Sequence, residues 1–147
     1  MTDIFNARQL LDHLVSFPTV SSDTNLPLIY FVRDYFADHG IGSVVIPNED
    51  GTKAGLVAQV GPNVAGGVAL SGHSDVVPVE GQDWITDPWT VVEKDDRLYG
   101  RGTCDMKGFV ALAMAAMVKA KSMDLQRPLQ FALSRDEEVG LLGAPDV

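Results

Sequence analysis

Three short stretches of the chain hold the side-chain types that bind metals and move protons. The first is Ser71-Gly72-His73-Ser74-Asp75. A neutral imidazole is a good zinc ligand, and a carboxylate beside its second nitrogen fixes the tautomer and raises its basicity. Residues two apart on extended backbone share a face, so Asp75 is placed to orient His73. The same pair also reads as a solvent-facing histidine followed by a turn aspartate. The second stretch is Tyr99-Gly100-Arg101-Gly102-Thr103-Cys104-Asp105-Met106-Lys107-Gly108, in which glycines bracket Asp105 ahead of an apolar helical run. Asp105 is either a helix N-cap, for which aspartate is a preferred residue, or a carboxylate rigid enough to bridge two metals about 3.5–4 Å apart. The third stretch is Ser134-Arg135-Asp136-Glu137-Glu138, directly after the apolar run 129–133. Neighbouring side chains point in different directions. One glutamate can therefore ligate a metal while the other takes a proton from water and returns it to a leaving amine, a service worth roughly 10²–10⁴-fold in rate.

The elements that must position these groups follow from hydrophobic spacing. Ala7, Leu10, Leu11, Leu14 and Val15 fall at helical intervals, and Pro18 with the Ser21-Ser22-Asp23 cluster ends that helix. Asn25 is placed to cap a second helix, with Pro27 in its first turn and Gly40 as its stop. Short strands are expected at 43–46, 56–60 and 68–70, the last a continuous apolar run of the buried parallel type. Residues 76–90 form a long loop holding Trp84 and Trp89; long loops in compact domains are often functional. Two more short strands, at 91–92 and 97–99, flank a turn at Asp95-Asp96. The run 106–121 is apolar on nearly every face, which predicts a deeply buried helix. Cys104 reads as a small packing residue, and His13 and His39 as surface or satisfied core histidines. The alternation predicts an α/β fold, with helices flanking a mixed, mostly parallel sheet. Ligands of such sheets bind beyond the carboxyl ends of the strands. His73, Asp75, Glu137 and Glu138 all lie just past a strand end, and Asp105 just before a helix.

The totals narrow the function classes. The chain has 147 residues, 46% hydrophobic and 21% charged, so it can bury a core. A formal net charge of −9 argues against nucleic acid and anionic membrane surfaces, both of which need a basic patch. One cysteine leaves no intrachain disulfide framework and suits a reducing compartment. Asp3 and Asp12 interrupt the N-terminal stretch where a secretory signal would need an apolar core. The longest apolar run, 109–118, is too short to span a bilayer. The expected location is the cytoplasm.

Taken together and in order, Ser71-Gly72-His73-Ser74-Asp75-Val76-Val77-Pro78, the 99–108 stretch and Asp136-Glu137-Glu138-Val139-Gly140 resemble the N-terminal signatures of the M20 family of dinuclear zinc amidohydrolases and peptidases. Gly81-Gln82-Asp83-Trp84, Arg101 to Phe109 and Ser134 to Gly140 bring the resemblance nearest to the acetylornithine deacetylase branch. The resemblance implies two zinc ions, for which cobalt substitutes. It implies His73 on one metal, Glu138 on the other, Asp105 between them, Asp75 orienting His73, and Glu137 as general acid-base. It also implies a cis peptide after Asp105, a small N-acyl amino acid as substrate, and a homodimer. In the acetylornithine deacetylase branch that substrate is N2-acetyl-L-ornithine.

Family members are much longer chains. The resemblance therefore implies that residues 1–147 are the N-terminal part of the catalytic domain. A further acidic ligand, a late histidine and a dimerisation domain would lie beyond Val147. With His73, Asp105 and Glu138 alone, two zinc ions would lack ligands, since zinc takes four, and little activity is expected of this chain by itself. A sheet interrupted after Leu133 is also expected to leave an unpaired edge that invites association. Two alternatives remain at this point: another acyl-amino-acid hydrolase of the family, such as a succinyl-diaminopimelate desuccinylase, or a metal-free binding or assembly module.

Overall fold

The computed structural model describes residues 4–147. Asp3, used above in reading the N-terminus, lies outside them. Helix α1 (Ala7–Ser16) opens with a capping box, in which Asn6 accepts from the Gln9 amide and the Gln9 side chain accepts from the Asn6 amide. Helix α2 (Leu26–Asp38) follows, then strands β1 (Ser43–Pro47), β2 (Ala54–Val60) and β3 (Val68–His73). A small hairpin, β4 (Val92–Lys94) and β5 (Arg97–Tyr99), precedes helix α3 (Lys107–Ala120) and strand β6 (Leu129–Ser134). Asp95 and Asp96 both take left-handed backbone, φ 52° and 56°, as a two-residue hairpin turn requires.

The main sheet has the order β1-β2-β6-β3. It is mixed, as expected, but the expectation of a mostly parallel sheet is corrected. Only β3 and β6 run parallel; β1–β2 and β2–β6 are antiparallel. The reason is connection length. β1 and β2 are joined by the tight turn at Asn48–Lys53, which forces reversal, whereas β3 reaches β6 through a long crossover containing α3. β6 inserts between β2 and β3, so the unpaired edges of the sheet are β1 and β3.

The core lies between one face of this sheet and the helices. Leu70, Phe131 and Ala58 are cross-strand neighbours on that face, and Gly72, Leu133 and Leu56 form the next row. Phe36 of α2 meets Phe131 edge-on with ring centroids 5.2 Å apart. Val110 and Phe109 of α3 pack where a side chain at Gly72 would sit. Helix α3 is not buried all round, which corrects the sequence expectation. Val110, Ala113, Met114 and Met117 are buried, but Leu112 is 62% exposed and Phe109 38%. These two, with Leu11, Leu98 and Cys104, line a hollow of about 580 Å³ beside α1. Cys104 is exposed there rather than packed in the core.

Asn25 stands at the N-cap position of α2, yet its side chain caps nothing. Its amide donates to the Ala54 carbonyl and to Ser74 Oγ, both at 2.8 Å, and its oxygen accepts from the Ala54 amide. Buried tertiary partners have outcompeted the local cap. Gly40, with φ 70°, ends α2 as expected. Among the described residues, no helix is long and apolar enough to cross a membrane.

Candidate metal centre

The one parallel pairing of the sheet brings the chemical groups together. His73, the last residue of β3, lies opposite Ser134, the last residue of β6. Two parallel neighbours end on the same side, so the chain leaving β3 toward Asp75 and the chain leaving β6 toward Glu137 and Glu138 emerge side by side. Asp136 takes left-handed backbone, φ 54°, a conformation aspartate tolerates better than most residues. That turn points the amides of Glu137 and Glu138 back at Asp75.

His73 is 4% exposed and its two nitrogens have distinct surroundings. Nδ1 lies 2.9 Å from the backbone carbonyl of Asp75. A carbonyl only accepts, so Nδ1 carries the proton and Nε2 keeps its lone pair in the neutral ring. The expected orienting carboxylate is present but is not the nearest partner, since Asp75 Oδ1 stands 3.5 Å from Nδ1. The Asp75 carboxylate instead accepts the Glu137 amide on Oδ1 at 3.0 Å, and the Glu138 amide and Ser21 hydroxyl on Oδ2 at 3.2 and 2.6 Å. It thereby joins the ends of both strands.

Nε2 faces the carboxylates. Asp105 Oδ1 lies 3.1 Å from it and Glu137 Oε2 3.7 Å from it. One ligand atom each from His73, Glu137 and Glu138 falls within 4.8 Å of the others. Asp105 is not a helix cap: the N-cap residue of α3 is Met106, and the Asp105 side chain, 73% exposed, points to His73. The peptide between Asp105 and Met106 is cis, as the resemblance implied. Gly102 allows the tight loop that carries Asp105. Its φ is 83°, and a Cβ there would meet Val76 Cγ1 at 2.9 Å and Lys107 Cδ at 3.1 Å. All five residues singled out in the sequence thus converge.

The electrostatics mark this as a place that attracts cations. Burial disfavours a charged His73, but the carboxylates of Asp75 and Asp105 outweigh it and raise the imidazole pKa to about 9. Burial likewise opposes charge on Asp75, yet the hydrogen bonds from His73, Ser21 and the Glu137 and Glu138 amides bring its pKa down to about 2. Glu138 is raised, first by burial and then by the nearby charge of Asp105. One imidazole with a free Nε2, surrounded by hard carboxylate oxygens, is a donor set that zinc accepts. The residues present therefore fit that metal.

Two buried groups escaped the sequence reading. The sequence places Ser21 in a helix-ending cluster, whereas its hydroxyl is a direct partner of Asp75. Lys107 is 1% exposed, and burial lowers its pKa to about 7. Its sequence signal is a lysine at the start of the largely apolar run 106–121.

A family model described as peptidase family M20/M25/M40 matches residues 69–147, a span that contains His73, Asp75, Asp105, Glu137 and Glu138. Solved structures agree with the fold. Human carnosine dipeptidase 1 is 26% identical over 93% of this chain and 33% of its own, with a TM-score of 0.77. An M20 family metallo-carboxypeptidase from Sulfolobus solfataricus is 20% identical over 97% of this chain and 33% of its own, with a TM-score of 0.81. The di-peptidase Dug1p from Saccharomyces cerevisiae is 23% identical over 92% of this chain and 33% of its own, with a TM-score of 0.64. The chain spans about a third of the length of these structures. With a match over more than half of its residues and one that takes in the whole cluster around His73, the chain belongs to peptidase family M20/M25/M40.

Proposed function

We propose that this chain carries part of the active site of a metal-dependent hydrolase that cleaves a linear amide bond. The observation that carries the reading is His73 Nε2, freed by the carbonyl on Nδ1 and faced by the carboxylates of Asp105 and Glu137. His73, Asp105 and Glu138 would hold zinc, two ions in the whole domain with Asp105 between them and cobalt able to substitute. When bound, zinc supplies Lewis acidity, polarising a carbonyl and acidifying water. Glu137 Oε2 sits 3.7 Å from Nε2, where it would take a proton from water and hand it to the leaving nitrogen. Asp75 holds His73 and the backbone of both glutamates in register.

The finer reading is removal of acetyl from N2-acetyl-L-ornithine, giving L-ornithine and acetate in arginine biosynthesis. Its support is the pair of motifs around Gln82-Asp83-Trp84 and Arg101. Trp84 Nε1 donates to Gln82 Oε1 at 3.0 Å, and the Arg101 guanidinium bonds Gln82 and lies 5.2 Å over the Trp84 ring. A second reading is dipeptide hydrolysis, favoured by the name of the human structure that is 26% identical. Residues 1–147 are read as the N-terminal part of the catalytic domain of a cytoplasmic homodimer acting on a small N-acyl amino acid. The exposed free thiol of Cys104 suits a reducing setting.

The test has two arms. Calorimetric titration with zinc of the 147-residue chain and of any longer natural form is expected to show binding that His73→Gln abolishes; no binding by the longer form refutes the metal reading. A panel of N2-acetyl-L-ornithine, N-succinyl-diaminopimelate and dipeptides is then run on the zinc-loaded chain and on any longer natural form of the polypeptide. Acetate release fastest from N2-acetyl-L-ornithine supports the finer reading, and preferred dipeptide cleavage overturns it.

A further inference from the structure

The connection between α1 and α2 carries none of the donor set, yet every part of the site is tied to it. Thr19 Oγ1 donates to the Ser74 carbonyl at 2.6 Å. The Val76 amide donates to the Thr19 carbonyl and the Ser21 amide to the Val76 carbonyl, forming a parallel bridge at Val20. The Ser21 hydroxyl donates to Asp75 Oδ2. These bonds hold the stretch that contains His73 and Asp75. The Ser21 carbonyl accepts Lys53 Nζ at 2.6 Å, and the same ammonium pairs with the carboxylate of Asp136, the residue before Glu137. The Phe17 carbonyl accepts Lys107 Nζ at 2.6 Å, two residues after Asp105. Residues 17–21 thus touch the His73 and Asp105 stretches directly and reach the Glu137-Glu138 stretch through Lys53 and Asp75, and Thr19 and Ser21 are 2% and 8% exposed.

We propose that residues 17–21 form a brace for the metal donor set, with the Ser21 hydroxyl as the positioning group that holds the Asp75 carboxylate in place. The proposal rests on the metal-centre reading above. Its physical content is the division of labour at Asp75. Oδ2 accepts from both Ser21 and the Glu138 amide, and Oδ1 from the Glu137 amide. With the hydroxyl removed, Oδ2 loses its shorter bond and nothing from the α1–α2 side restrains the carboxylate. The carboxylate then turns toward His73 Nδ1, 3.5 Å away, and the two glutamate amides lose their common anchor. Groups that orient metal ligands in this way commonly change metal affinity by about 10–100-fold when removed.

The test compares the unmodified chain with Ser21→Ala, Ser21→Thr and Ser22→Ala. Ser22 is exposed, and its hydroxyl reaches only Asp23, at 3.3 Å. Zinc alone is the probe, followed by calorimetry. Hydrogen exchange of the Glu137 and Glu138 amides is followed in the metal-free protein. Ser21→Ala is expected to weaken zinc binding about tenfold or more and to speed exchange at both amides while the centres of β2 and β6 stay protected. Ser21→Thr, which keeps the hydroxyl, restores affinity, and Ser22→Ala changes nothing. Should Ser21→Ala not fold, Ser21→Cys, nearly isosteric with only a weak donor, carries the same test. A Ser21→Ala chain that melts lower but keeps both zinc affinity and amide exchange overturns the brace. If neither the unmodified chain nor a longer natural form binds zinc, the metal reading fails, while amide exchange still decides the brace.

Discussion

Zinc must compete with a proton for His73, and the size of that competition follows from the site. The Asp75 and Asp105 carboxylates raise the imidazole pKa from 6.5 to about 9 despite its burial. Only the neutral ring offers Nε2 to a metal. At pH 7 about 1% of metal-free molecules have that ring neutral, which weakens apparent zinc affinity about 100-fold, or about 2.7 kcal/mol. The penalty shrinks about tenfold for each pH unit as pH rises toward 9. Zinc titrations at pH 6, 7 and 8 are therefore expected to show affinity rising about 100-fold across the range. About one proton should be released per His73 engaged, read from calorimetry in buffers of different ionisation enthalpy. An imidazole left at pKa 6.5 would give a rise of only about fourfold between pH 6 and 8. A rise of that size, or zinc binding without proton release, would refute the electrostatic account of the site.

Four further outcomes are expected. In the metal-free protein, His73 has a folded pKa above its unfolded one, so its stabilising contribution is present below about pH 6.5 and lost as pH rises through about 9. The loss is on the order of 3 kcal/mol, read as the difference between the parent chain and His73→Gln in urea melts at pH 6 and pH 10, because Lys107, lowered to about 7, shifts both chains in the opposite direction. Asp75→Asn removes the charge that accepts two backbone amides and the Ser21 hydroxyl, and should cost about 1.5–3 kcal/mol with about 10–100-fold weaker zinc binding. Unchanged zinc affinity in that variant would leave Asp75 a purely structural residue. Gly102→Ala forces a side chain into left-handed backbone against Val76 and Lys107, and is expected to destabilise the chain by about 1 kcal/mol or more and to weaken zinc binding through Asp105; a neutral effect on both would contradict the tight-loop argument. Phe131→Ala, at a 1% exposed position edge-on to Phe36, should cost about 3–5 kcal/mol by urea melt while leaving the zinc affinity of the remaining folded protein unchanged.

The residue types of the site were legible in the sequence because they are chemically unusual where they stand. His73 and Glu137-Glu138 directly follow apolar strands, and Asp105 sits in a glycine-bracketed turn, so local pattern alone put each of them at the end of an element. The helices and most strand positions were legible for the same reason, since periodicity is a local property. Four features were not legible, because they depend on residues far apart in the chain. The last strand inserts between β2 and β3; strand order is set by loop-closure geometry, which leaves no mark on local composition. That insertion makes β3 and β6 parallel neighbours and so creates the site. Asn25 gives up its cap for Ala54 and Ser74, because a buried amide needs partners more than a solvated helix end does. Ser21 meets Asp75 across 54 residues of chain. The sequence by itself determined which groups could do chemistry and which elements would carry them. Only the tertiary structure decided which of them share one small volume, because hydrogen bonds and burial between distant segments, rather than local propensity, select among the ways those elements could pack.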